Sequence, residues 1–103
     1  MFEAEKDDVL TYEDFAPYLN QIFQMKLSEG ESAELELIEA EITGPSPFKG
    51  YRDHFWLQFR DASGIKRWQD TYELEHPQKG SIQVFLIPYG KDAEGMYYQA
   101  VFS

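Results

Sequence analysis

The amino-acid sequence predicts a mainly-β domain: a small antiparallel barrel or rolled sheet of six strands with one short N-terminal helix. Three observations lead there. Beyond residue 22, apolar side chains recur at every second position through most of the chain, the period of a strand with one buried face. The segments between these runs are too short to hold the dozen-residue crossover that parallel strands need, so the strands must pair antiparallel. The run "VFLI", residues 84–87, is apolar on both faces, which places its strand centrally or under a cover. Rolling or closing a small sheet meets that demand and removes open edges.

The helix is read from "LTYEDFAPYLNQ". Thr11 is placed as N-cap, Asp14 three residues on as the acidic partner of a capping box, and Leu10 as a staple against Phe15. Phe15, Leu19 and Ile22 follow near helical spacing, while Pro17 lacks an N–H and limits regular α-helix, so a short helix over residues 12–19 plugging one barrel end is expected. In "IFQMKLS", Phe23, Met25 and Leu27 face one way, and "EGES" makes a turn. In "AELELIEAEI", Ala33, Leu35 and Leu37 alternate with glutamates until Leu37 and Ile38 fall side by side and Ala40 and Ile42 continue in a new phase. One extra residue in the apolar register is what a β-bulge produces.

The Pro- and Gly-rich stretch over residues 43–53 reads as a loop. "HFWLQFR" then turns Phe55, Leu57 and Phe59 inward and Trp56 outward, and "DASGIKRWQD" is a second loop. "TYELEHP" puts Tyr72 and Leu74 on one side; "SIQVFLIP" puts Ile82, Val84 and Leu86 opposite Phe85 and Ile87; "GKDAEG" is a tight connection before "MYYQAVFS". Each strand is expected to run about 5–10 residues.

One hundred and three residues make one domain, expected over residues 10–103 behind a flexible acidic tail over 1–9. Hydrophobic residues at 43% and 8 Phe, 7 Tyr and 2 Trp suffice for a core without staples. Cysteine is absent, so thiol chemistry and disulfides are excluded. No apolar run approaches the roughly 18 residues of a membrane span, and the acidic N-terminus lacks the pattern of a secretory signal, so a cytoplasmic protein is expected.

The formal net charge is −10, and it is lopsided: residues 1–50 hold 12 acidic and 3 basic side chains, residues 51–103 hold 7 and 6. Phosphate is bound by neutralising it with Lys and Arg, so neither nucleic acid nor an anionic membrane is an expected partner. Beyond solubility, such a charge steers a basic partner.

Catalytic chemistry finds little support. His54 and His76 are the two imidazoles, and nothing in their spacing aims them at a shared metal, so no metal and no cofactor is expected. Ser46, Ser63 and Ser81 lie in turn-like surroundings outside any nucleophile-elbow motif. Glu34, Glu36 and Glu41 alternate with apolar residues and read as a solvated sheet face. The glycine-containing segments match no phosphate loop or dinucleotide fingerprint. His76 precedes Pro77, which biases it toward extended backbone and cannot continue a central ladder. His76, Pro77 and Gly80 are therefore assigned to a structural corner, with the imidazole donating a ring N–H to a turn carbonyl. The aromatics Trp56, Trp68 and Tyr97 cannot all enter a small core and are the candidate interface or ligand-stacking residues. An exposed edge on the C-terminal strand is a further candidate for pairing with another chain.

The segments "YELEHPQKG", "LIPYG" and "GMYYQAVF", with "LTYEDFAPYLNQIFQM", "GPSPFKG" and "FWLQFRD", resemble the DUF6916 family, small bacterial proteins known as a domain of unknown function. The likeness runs from about Leu10 to Phe102 and includes Tyr72, Leu74, His76, Pro77, Gly80, Phe85, Leu86, Pro88, Gly90 and Tyr98. The segment "ASGIKRWQD", which contains Trp68, departs from the shorter proline-containing stretch of that pattern. The resemblance implies identity without mechanism, and an accessory or structural role. The function expected is a non-enzymatic module acting through contact with a protein partner, of basic character; the alternative is a small-ligand or carbohydrate binder using Trp56, Trp68 and Tyr97 as a stacking platform.

Overall fold

The computed structural model describes residues 10–45 and 53–102. The acidic tail expected over 1–9 and most of the loop expected over 43–53, with Ser46, lie outside the described residues. Six strands follow one another: β1 (Ile22–Lys26), β2 (Ser32–Gly44), β3 (His54–Asp61), β4 (Asp70–His76), β5 (Gly80–Asp92) and β6 (Gly95–Phe102). Every pairing is antiparallel, and the order β1-β2-β3-β6-β5-β4 closes into a barrel.

Alternation fills the barrel. Phe23 and Met25 of β1, Leu35 and Leu37 of β2, Phe55, Leu57 and Phe59 of β3, Leu74 of β4, Val84 and Leu86 of β5, and Tyr98 and Ala100 of β6 are all buried. The phase slip in β2 is a bulge: Leu37 pairs with Phe59 and Glu39 with Gln58, leaving Ile38 as the extra residue. Beyond it Ala40 faces Leu57 and Ile42 faces Phe55. The β2–β3 ladder shifts again between Ile42 and Gly44, and a further bulge, which the sequence did not suggest, leaves Tyr89 between the pairs of Pro88 with Tyr98 and Gly90 with Tyr97. It lets β5 continue past Pro88, because a bulge tolerates a residue that cannot donate to the ladder. Both β2 and β5 consequently reach 13 residues, longer than expected.

The helical segment is two successive 3-10 turns, Tyr12–Asp14 and Ala16–Tyr18. The Thr11 N–H donates to Asp14 Oδ2 at 2.8 Å and its hydroxyl to the same oxygen at 3.2 Å, so Asp14 takes the acidic place of the capping box read from the sequence. Pro17 has no N–H to give, and the short i→i+3 bonds of a 3-10 turn suit a segment interrupted there. Phe15, fully buried, enters the barrel end against Phe55 and Phe102, at 6.1 and 5.9 Å between ring centroids. Asp14 and Lys79 pair at 3.3 Å, and the Lys79 ammonium lies over the Phe15 ring. This segment thus fills the gap where the end of β6 and the start of β5 diverge.

Of the two placements expected for β5, central or under a cover, the first holds: it lies between β4 and β6. Phe85 is 49% exposed on the outer surface, because barrel closure buries one face of each strand and the 3-10 turns cover an end rather than a side.

Chain order within the barrel reveals two like halves. β1, β2 and β3 form one meander and β4, β5 and β6 another, each with a long, bulged central strand whose first part pairs backward and second part pairs forward. The halves meet along β3 and β6, paired throughout residues 55–61, and along β1 and β4, paired through Gln24 with Glu75 and Met25 with Leu74.

Candidate functional site

His76 ends the inward alternation of Tyr72 and Leu74, so its ring points into the barrel end and is buried. Its Nδ1 accepts the N–H groups of Gln78 at 3.1 Å and Lys79 at 3.3 Å. That leaves Nε2 to carry the proton, donated to Gln21 Oε1 at 2.7 Å. Tyr18 and Phe23 flank the ring at 4.5 and 5.0 Å. The imidazole engages the turn as an acceptor rather than through a donated N–H, because an inward ring beneath a turn meets its amides. Pro77 follows, and Gly80 takes φ of 89°, a value that a side chain disfavours. Both ring nitrogens are occupied by structural partners among the described residues.

The opposite end is organised by Asp61, buried at the end of β3. Its carboxylate accepts the Ser63 N–H at 2.9 Å and pairs with Arg67 at 3.2 Å. The Tyr98 hydroxyl donates to the Ile65 carbonyl at 3.3 Å, and burial raises the Tyr98 pKa above the ordinary phenol value. These bonds fix the 62–69 loop, whose Trp68 stands 82% exposed. The Tyr72 hydroxyl holds the Trp68 carbonyl at 2.6 Å. Gly95 enters β6 beneath this loop with φ of 146°, and a Cβ there would collide with the Asp61 carbonyl oxygen.

Trp56 and Tyr97 lie on the outer face of neighbouring strands, but not side by side: Trp56 pairs with Val101, and Tyr97 with Arg60. The Tyr97 hydroxyl donates to Asp92 Oδ2 at 2.9 Å, and this bond, with burial, keeps the phenol pKa above its ordinary value. Tyr89, displaced outward by its bulge, sits 6.0 Å from Tyr97 and donates to Gln58 at 2.8 Å. Phe85 and Val101, 62% exposed, extend the same surface. Trp68 belongs to the barrel end instead, so the three residues form no single stacking platform. The sequence missed Phe85, Tyr89 and Val101; once barrel closure is known, their outward phase in β5 and β6 identifies them.

Nor is β6 the open edge anticipated for the C-terminal strand. It lies between β3 and β5, paired with β3 through Phe102 and with β5 through Gln99. Among the described residues, no three His, Asp or Glu side chains gather as metal ligands, and no helix is long and apolar enough to cross a membrane.

A closed antiparallel barrel with its histidine held in a corner and its aromatics spread over a rim and an outer face defines a small β-barrel domain. The chain belongs to the DUF6916 family, a domain of unknown function, whose family model matches residues 10–102. No curated protein and no solved structure matches it.

Proposed function

We propose that this domain is a non-enzymatic protein-interaction or accessory structural module that docks a partner on the outer face of β3, β6 and β5. One observation carries the reading. Phe85, Tyr89 and Val101 are exposed on a single sheet face, with Trp56, Ile87 and Tyr97 half-buried among them. Exposed apolar surface of this kind, with aromatic residues within it and a polar rim, is characteristic of interfaces. The rim is acidic: Glu41 lies beside Trp56 and Glu39 beside Gln58, and the chain as a whole carries −10. That charge favours a basic protein over nucleic acid or an anionic membrane. The cysteine-free composition fits a cytoplasmic setting.

The test is a native pull-down from lysate with wild-type protein and the Val101→Arg variant, at low and moderate salt. The expected result is a near-stoichiometric partner retained by wild type, weakened by salt and lost on the variant. Equal retention by both proteins, or recovery of bait alone, removes the reading.

A further inference from the structure

The barrel diverges at two places, and its own chain fills one of them. The gap between β5 and β6 holds Phe15, against Phe102 on one side and Lys79 on the other. The second gap lies between β1 and β4. Continuing their register past Met25 and Leu74 would set Leu27 opposite Tyr72. Instead β1 ends at Lys26 and the chain leaves through the Ser28–Gly30 turn, where the Leu27 N–H is donated to the Glu31 carbonyl at 2.7 Å. Residues 70–73 of β4 are paired with β5, but among the described residues no strand lies along their other edge. A wedge of about 570 Å³ opens there, with Leu27 and Tyr72 half-buried within it and Trp68 on its rim.

A strand edge without a neighbouring strand offers backbone donors and acceptors whose natural complement is another extended chain; here the Thr71 N–H is held by Asp70 Oδ1 at 2.7 Å, a bond that an added strand's carbonyl would replace. The charges say which kind. Among the described residues Lys26 is paired with Glu75 and Arg67 with Asp61, leaving Lys66 as the cation of the wedge without an ion pair. Glu31, Asp70 and Glu73 are carboxylates of the wedge with no ion pair either, so the uncompensated charge is negative. An exposed indole beside carboxylates suits a Lys or Arg side chain, held by cation–π attraction and charge together.

We propose that this wedge takes an extended basic segment of a protein partner, added as a strand along residues 70–73 of β4, with Trp68 packed on one of its Lys or Arg side chains. The proposal rests on the protein-interaction reading for its class of partner but uses a surface separate from the outer face.

Random twelve-residue peptides displayed on phage, selected against the full chain, provide the probe. A recovered peptide is then titrated into isotopically labelled protein. Enrichment of Lys and Arg is expected, with amide shifts concentrated over residues 26–31 and 66–73. Alternate amides of residues 70–73 should exchange at least about ten-fold more slowly in the complex, since strand addition pairs them. Trp68→Ala and Asp70→Lys, both at exposed positions, should each weaken binding about ten-fold with spectral dispersion retained. Three results overturn the proposal: no enrichment over the unselected library, peptide binding without slowed exchange on β4, or a Trp68 response to cellohexaose in place of peptide. Shifts confined to Phe85, Tyr89, Tyr97 and Val101 would also end it while leaving the outer-face reading intact. Loss of partner on Val101→Arg with unchanged peptide binding would separate the two surfaces.

Discussion

Replacing His76 with alanine removes three hydrogen bonds and a packed ring at once. The Gln78 and Lys79 amides lose their acceptor, Gln21 loses its donor, and Tyr18 and Phe23 lose a ring packed within 5.0 Å. Water can reach the turn, so each stranded amide costs about 1 kcal/mol, the lower end of the range for an unsatisfied group. Deleting the ring from a buried site adds about 1–2 kcal/mol of lost packing. Together these give about 3–4 kcal/mol, or a fall in Tm of roughly 12–32 °C for a domain of this size. The assay is urea unfolding of the full chain followed by far-ultraviolet circular dichroism, with the midpoint compared at constant m-value. His76→Asn is the control. Its side-chain oxygen can accept an amide two residues on, as in an Asx turn, and should recover about 1 kcal/mol. A loss within about 0.5 kcal/mol of wild type for His76→Ala, or an asparagine variant weaker than the alanine one, would refute the corner account.

Phe15→Ala should cost about 3–4 kcal/mol, because it removes a fully buried aromatic that fills the divergence of β5 and β6; calorimetry reads it directly. Burial pushes the Asp14 carboxyl up, but the Thr11 N–H, Lys79 and the Thr11 hydroxyl outweigh it and hold the pKa below its ordinary value. A carboxylate with a depressed folded-state pKa contributes stability that is complete above its unfolded value, about 4, and is lost as pH falls through the folded value. Unfolding curves of wild type and Asp14→Asn should therefore differ at pH 6–7 and converge below about pH 4; a gap that widens in acid would show the reasoning wrong. Gly95→Ala combines a disfavoured backbone angle with a collision at the Asp61 carbonyl and should cost about 3 kcal/mol or more, so a wild-type Tm for this variant would contradict the geometry.

The elements that alternation can specify were legible before the structure. Six strands, their antiparallel pairing, the bulge at Ile38 and the inward sets of β1 and β3 all follow from which residues are apolar and at what spacing. The capping of Thr11 by Asp14 was equally local. What escaped depended on neighbours distant in sequence. Pro88, Tyr89 and Gly90 look like punctuation, and only pairing with β6 makes them a bulge inside a continuing strand. The apolar outer residue Phe85 suggested a central or covered strand, and composition cannot distinguish a buried side chain from one left at the surface of a central strand. The sequence marked Trp56, Trp68 and Tyr97 as outward, but their separation is set by register and by the loop that Asp61 holds.

The two meanders meet unequally, with a consequence for how the molecule yields. Along β3 and β6 the halves are stitched by a ladder running from Phe55 to Asp61; along β1 and β4 they are clasped through Gln24 with Glu75 and Met25 with Leu74. A cylinder built this way is a clamshell, hinged down one side and latched on the other. Thermal opening follows the side with less to break, so the latch parts first and the hinge keeps both halves in register for reclosure. Ordinary breathing then uncovers the margins of β1 and β4 while the hinge stays shut.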